Sequence, residues 1–300
     1  MLPERIEQLL DSEHLTDLVL NGAHQTFALV DGAWVTTDNP FGSSVELQEF
    51  AVNLAGEYRK RLDYGQPFAD VAYGNLRFHL SLPLGTNPNI NVSIRKHSMS
   101  SFELSKVIEN PVRWHQTLTR IIEERANFII CGGTGSGKTT LLRSMMTEVP
   151  SERIVTVEDV AELELSSPNV VSLQTRQANS DGFGQIDLQR LVTESLRMKP
   201  DRIVVGEVRG VELVPMLQAL NSGHQGSATT IHANRAEDLP SRLIGIGLLG
   251  GLSPATTAHL AASAFRYVIS LSDRRSAVRI ASISNLALTN ENKLVVRHEF

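Results

Sequence analysis

Phe128-Ile129-Ile130-Cys131-Gly132-Gly133-Thr134-Gly135-Ser136-Gly137-Lys138-Thr139-Thr140-Leu141-Leu142 is the stretch whose reading decides the fold. Four apolar residues read as a buried strand, a glycine-rich loop follows, and Leu141 to Met146 continues as a helix. Residues 132–139 fit G-x-x-x-x-G-K-[ST] in full. The chemistry asks for those types at that spacing. Glycines let backbone N–H groups curl inward around phosphate oxygens. The helix that follows adds the positive end of its dipole. Lys138 is placed to reach β- and γ-phosphates, and Thr139 to ligate Mg²⁺. The candidate nucleotide-binding residues are Gly133, Thr134, Gly135, Ser136, Gly137, Lys138, Thr139 and Thr140, and the implied cofactors are ATP and Mg²⁺.

Working outward, strands and helices alternate. Helices are predicted over 114–125, 138–148, 188–198, 211–220 and 240–248, and strands over 127–131, 154–158, 202–207 and 228–232. This is the pattern of a mostly parallel sheet with helices on both faces. Strand-like runs end the chain at 267–271, 278–288 and 294–300. Residues 1–97 read as a smaller mixed α+β domain, with helices at 3–10 and 45–62 and six short strands between 17 and 95. Residues 98–111 read as a linker into an α/β domain spanning 112–300.

The charge is lopsided. Residues 1–100 hold 7 Lys and Arg against 12 Asp and Glu, while residues 101–300 hold 21 of each. A nucleic-acid binder needs a basic face to displace counterions, so no direct nucleic-acid partner is expected. One cysteine, Cys131, excludes a disulfide framework and a cysteine zinc site. No apolar run approaches the roughly 20 residues of a membrane-spanning helix, and MLPERIEQLL lacks a signal-peptide pattern, so a cytoplasmic location is expected.

Hydrolysis needs carboxylates near the phosphates. Glu207 closes the apolar run Ile203-Val204-Val205-Gly206, and Glu158 and Asp159 close Ile154-Val155-Thr156-Val157. Both runs deliver acids to the carboxyl edge of the sheet, where open α/β sheets bind ligands. Adjacent side chains diverge, so Asp159 is the weaker candidate. Gly223 to Asn234 holds two histidines around a Thr-rich strand; no cysteine or nearby carboxylate completes a metal site there, and His232 reads as a sensor of the γ-phosphate.

These motifs together resemble the secretion ATPase superfamily of type II and type IV secretion, pili and conjugation. Residues 132–142 resemble its Walker A, 158–163 its Asp box, 196–210 its Walker B ending in Gly-Glu, and 223–234 its His box. The N-terminal third matches through 15–22 and 93–96. Within the superfamily, Val170-Val171-Ser172-Leu173 and 196–210 read most like the CpaF-like, tight-adherence (Tad/Flp) pilus assembly ATPases. The tetracysteine of many pilus and type II enzymes is absent, Ser222 stands where threonine is usual, and Pro215 is expected to interrupt the helix after Walker B.

The resemblance implies a RecA-like P-loop NTPase domain behind a smaller, PAS-like α+β domain. It implies a homo-hexamer that works on an inner-membrane platform protein, associated peripherally with that membrane. It implies arginines from the N-terminal domain at the phosphates, and by motif position these are Arg95 and Arg77. Lys138, Glu158, Glu207, Arg95, Arg77 and His232 form the implied catalytic set, with Thr139 and Glu207 toward the metal. The division of labour between Glu158 (water) and Glu207 (Mg²⁺) stays open. Two other readings are a DNA-directed motor of conjugation or helicase type, and a nucleotide-binding assembly regulator that does not turn over.

Overall fold

The computed structural model describes residues 2–12, 14–96, 103–149, 151–178, 183–273 and 277–298. They form two compact units, divided between residues 96 and 103.

The first unit is an antiparallel sheet of β1 (Leu15–Asn21), β2 (Gln25–Val30), β3 (Ala33–Thr37), β4 (Phe68–Tyr73), β5 (Leu76–Ser81) and β6 (Asn91–Lys96), in the order β3-β2-β1-β6-β5-β4. Asp31 and Gly32, both at positive φ, make the two-residue turn between β2 and β3. The period of two is clean in β5 and β6. Leu76, Phe78, Leu80, Val92 and Ile94 share one buried cluster with Ile6 and Leu10 of α1 (Glu4–Leu10) and Leu47, Ala51 and Leu54 of α2 (Ser44–Glu57). Arg77 and Arg95 stand directly opposite one another in the β5–β6 register, on the other face. Ser43 starts α2 by accepting the Glu46 amide, and Glu46 answers by accepting the Gly42 amide. α2 ends at Glu57 rather than 62, because Arg59 turns to a left-handed φ of 56°.

The second unit carries an eight-stranded sheet: β7 (Phe128–Gly132), β8 (Ile154–Glu158), β9 (Val170–Gln174), β10 (Arg202–Val205), β11 (Ala228–His232), β12 (Tyr267–Leu271), β13 (Ile280–Leu288) and β14 (Leu294–His298). The order is β14-β13-β12-β7-β11-β10-β8-β9, parallel from β12 to β9 and antiparallel beyond β12. One face buries α6 (Leu188–Ser195), α7 (Leu213–Asn221), α8 (Leu239–Leu249) and α9 (Pro254–Ala264), and the other buries α3 (Leu104–Val107), α4 (Pro111–Glu123) and α5 (Lys138–Thr147). The second unit has the expected RecA-like α/β architecture, and the first is the smaller α+β unit. No single helix among the described residues is long and apolar enough to cross a membrane.

Three readings need correction. Residues 98–102 of the predicted linker lie outside the described residues. The rest is not a linker: Leu104 and Val107 are buried in the second unit's core, and Pro111 occupies the first position of α4. Pro215 does not interrupt α7, because it sits in the first turn, where its missing N–H has no intrahelical partner. β10 stops at Val205, so Glu207 lies two residues beyond the strand.

Candidate nucleotide-binding site

Register places the motif residues side by side. β7 runs parallel to β11 with Gly132 opposite His232, β11 to β10 with Thr229 opposite Val205, and β10 to β8 with Val205 opposite Val157. Gly132, His232, Glu158 and the Gly206-Glu207 pair therefore leave neighbouring strands at one carboxyl edge. After β7 the chain crosses through α5 to β8, and β11 and β10 fill the gap. Ligands settle in the crevice that such a crossover opens.

The loop before α5 is held open for a phosphate group. Gly135 and Gly137 take φ of 75° and 93°, and no side chain caps α5. A Cβ on Gly133 or Gly135 would meet nothing within 4 Å, whereas one on Gly132 would stand 2.6 Å from Ser136 Oγ. The first glycine is thus required by packing, and the next two line open space. Ser136 Oγ donates to Gly133 O at 2.9 Å and braces the loop. Lys138 is buried, and its ammonium donates to Gly132 O at 2.9 Å and Gly133 O at 2.7 Å. Burial pushes its pKa down, while Glu207 nearby favours the charged form. Neutral carbonyls do not cancel that charge, so a phosphate oxygen is a better partner than the ones it holds.

The two glutamates differ. Glu158 is buried, and its Oε1 accepts the Glu162 and Leu163 amides, both at 3.0 Å. It also packs on Gly206: a Cβ there would lie 2.9 Å from Glu158 Cγ, which explains the glycine before Glu207. Glu207 Oε2 accepts from Arg209 Nη2 at 2.6 Å. Glu207 Oε1 is buried without a hydrogen bond, and His232 Nε2 approaches it at 3.2 Å off the hydrogen-bond direction. His232 is held below the ordinary histidine pKa, first by burial and then by the Lys138 charge. Burial pushes the Asp159 carboxyl up, against a hydrogen bond from Thr175.

This donor set fits a nucleotide with Mg²⁺. The loop supplies a cradle and a cation, and Glu207 Oε1 is a buried carboxylate oxygen lacking the donor or cation it needs. Thr139 and Thr140 are half-buried in the first turn of α5.

Residues 69–275 match the family model described as "Type II/IV secretion system protein". The chain belongs to this family. A putative conjugal transfer protein of Mycobacterium tuberculosis is 36% identical over 301 residues, covering 94% of this chain and 83% of that one. The type IV secretion system protein VirB11 of Bartonella henselae is 29% identical, covering 78% and 76%. Among solved structures, the Legionella pneumophila ATPase DotB superposes with a TM-score of 0.63 at 21% identity, covering all of this chain and 80% of that one.

In this secretion-family chain the predicted residues divide by unit. The Walker A residues, Glu158, Glu207 and His232 gather at one sheet edge of the second unit. Arg95 and Arg77 lie in the first, where Arg95 Nε pairs with Asp17 at 3.0 Å and Arg77 Nη1 donates to Gly74 O and Leu76 O, both at 3.3 Å. Sequence reasoning missed the scaffold around Glu207. Thr230 Oγ1 donates to Gly206 O at 2.7 Å, and the buried Glu212 accepts the Arg209 and Gly210 amides at 2.5 and 2.7 Å. Arg209 stood inside the Walker B resemblance, and only its spacing of two from Glu207 hinted at a partner.

Proposed function

We propose that this chain is a cytoplasmic ATPase motor, hydrolysing ATP to ADP and phosphate to power secretion or pilus assembly at the inner membrane. The observation that carries the reading is the gathering of Lys138, Glu158, Glu207 and His232 at the ends of adjacent parallel strands beside an open phosphate loop.

In this reading the amides of residues 133–140 hold the phosphates of ATP, and Lys138 exchanges the Gly132 and Gly133 carbonyls for β- and γ-phosphate oxygens. Thr139 and Glu207 hold Mg²⁺, which neutralises charge on the transferring phosphoryl group. Water attacks the γ-phosphorus, the bond to the bridging oxygen breaks, and ADP leaves. Glu158 orients that water, or fixes the 159–163 loop beside it; two amides already occupy its Oε1, which favours the second role. Neutral His232 donates to the γ-phosphate and reports its loss. The assignment of Arg95 and Arg77 to the phosphates rests on the resemblance alone.

The same resemblance supports a homo-hexamer, a platform protein as partner, peripheral association with the inner membrane, and a Tad/Flp-type pilus as the assembled product. A second reading, a motor for conjugal DNA transfer, is favoured by the name of the mycobacterial relative, a putative conjugal transfer protein. The charge balance of residues 101–300 weighs against direct contact with DNA.

The test is phosphate release by the purified chain with ATP and Mg²⁺. Turnover in the wild type and its loss in Lys138→Ala support the reading. Near-normal turnover in Lys138→Ala sinks it, and nucleotide-dependent oligomerisation without phosphate release turns it into an assembly regulator. Stimulation by DNA, lost at high salt, selects the conjugal reading.

A further inference from the structure

Glu207 has an unusual setting for a carboxylate two residues past a strand. Its backbone is tied down on both sides: Thr230 Oγ1 holds Gly206 O at 2.7 Å, and the Val208 amide donates to Thr230 O at 2.9 Å. The next loop is tied down too, with Glu212 Oε1 accepting the amides of Arg209 and Gly210. On this fixed frame the Arg209 guanidinium reaches back two residues and holds Glu207 Oε2 at 2.6 Å. The other oxygen, Oε1, is left buried, without a hydrogen bond, and 3.2 Å from His232 Nε2. A carboxylate held at one oxygen cannot turn about its own axis to spend both oxygens on the loop or on solvent.

We infer that Arg209 is a positioning residue: its guanidinium clamps Glu207 Oε2 and so presents Oε1 to the nucleotide site. The inference rests on the proposed role of Glu207 and deepens it. Arg209 touches neither nucleotide nor metal in this assignment; it acts through Glu207. The pair is not needed to hold the fold. Arg209 is 63% exposed, and exposed ion pairs add little to stability. The loop's shape comes instead from Glu212, whose bonds run to the main chain and survive any change of the Arg209 side chain. Arg209 also faces Asp159 and Glu162, which act on its charge, so removing it would free Glu207 to rotate within an acidic neighbourhood.

The experiment uses the full chain and the fluorescent nucleotide mant-ADP, titrated with and without Mg²⁺, for wild type, Arg209→Ala, Arg209→Lys and Glu207→Gln. Arg209→Ala is expected to raise the Mg²⁺ concentration for half-maximal tightening by about tenfold, as loss of a partner behind a metal-facing ligand does. It should leave mant-ADP affinity in EDTA and the melting temperature unchanged, and lower kcat rather than raise KM. Arg209→Lys, which keeps the charge but not the planar fork, should recover only part of the effect. Wild-type Mg²⁺ dependence in Arg209→Ala beside a defective Glu207→Gln overturns this inference alone. Wild-type dependence in Glu207→Gln overturns the role of Glu207, and this inference with it. A fall in melting temperature that accounts for the whole loss, or weakened binding in EDTA, makes Arg209 a structural or general binding residue and also overturns it.

Discussion

Arg202 at the amino end of the eight-stranded sheet and Lys138 at its carboxyl end are both buried cations, and they keep different company. Arg202 opens β10. Its Nε and Nη2 take both oxygens of Glu152 at 2.8 and 2.9 Å, Nη2 also donates to Ile122 O at 2.9 Å, and Nη1 donates to Gly226 O at 3.2 Å. Glu152 is held below the usual carboxylate range, first by its hydrogen bonds from Arg202 and further by Arg125, 3.1 Å away. Gly226 must be glycine, because a Cβ there would lie 2.7 Å from the guanidinium. Lys138 has only the carbonyls of its own loop. A buried cation whose charge is matched is architecture: it ties the start of β10 to the end of α4 and the turn before β11. One that bonds only exchangeable carbonyls, with Glu207 acting on its charge but not bonded to it, is ready for an anion. The same sheet is thus closed at one end and left incomplete at the other.

That contrast predicts opposite losses. Lys138→Ala should cut turnover by about 10²–10³-fold, the usual cost of removing a preorganised electrostatic donor, without lowering the melting temperature. Burial opposes the Lys138 charge, so its removal relieves a cost. Arg202→Ala should do the reverse and lose about 3–5 kcal/mol, because it strands the Ile122 and Gly226 carbonyls and leaves Glu152 with Arg125 alone. Urea unfolding and phosphate release on both variants check this. A folded, stable Arg202→Ala, or a destabilised Lys138→Ala, breaks the comparison.

A finer version separates the two glutamates. Glu207→Gln should abolish turnover with little loss of stability, since its Oε1 makes no hydrogen bond and the ion pair of its Oε2 with the exposed Arg209 adds little. Glu158→Gln keeps an acceptor for the Glu162 and Leu163 amides but loses the charge that strengthens both bonds, at about 1 kcal/mol. Gly206→Ala should push Glu158 off its seat and cost about 1–3 kcal/mol, as overpacking does. If Glu158→Gln unfolds at the wild-type urea concentration while losing turnover, Glu158 belongs with Glu207 in the chemistry rather than with Arg202 in the architecture.

How far this was legible in the sequence follows the same line. The phosphate loop was legible because its glycines, lysine and threonine sit at fixed spacing between a strand and a helix. β7, β8 and β10 were legible because they are largely apolar runs, and the Thr-rich β11 through the β-branched residues before His232. β9 was not, since it is a half-exposed edge strand with no buried face to pattern it. α9 was not, because Pro-Ala-Thr-Thr-Ala-His-Leu-Ala-Ala-Ser-Ala carries too little apolar contrast for a stripe. Arg202 read as a strand's polar start. Nothing local reveals that Glu152, fifty residues earlier, completes it, because that pairing comes from the β8–β10 register. Glu158 was found for its place at a strand end, but its bonds to the loop amides needed the loop's path.

The smallest expected effect tests whether Lys138 is a charged group in the resting site. His232 is held below its ordinary value by burial and then by the Lys138 charge, against the opposing pull of Glu207. A histidine whose folded pKa lies below the unfolded one binds fewer protons folded than unfolded in the window between them. Stability therefore rises with pH through that window and is level above about pH 7, where both states are neutral. His232→Gln removes the titration, so wild type should lose stability relative to this variant as pH falls from about 7 to 5, measured by urea midpoints. In a Lys138→Ala background that pH-dependent difference should shrink, because the ammonium that disfavours the imidazolium is gone while burial remains. An unchanged difference would mean that no charge on Lys138 reaches His232, and the carboxyl end of the sheet would then hold no cation without a bonded carboxylate to set against Arg202.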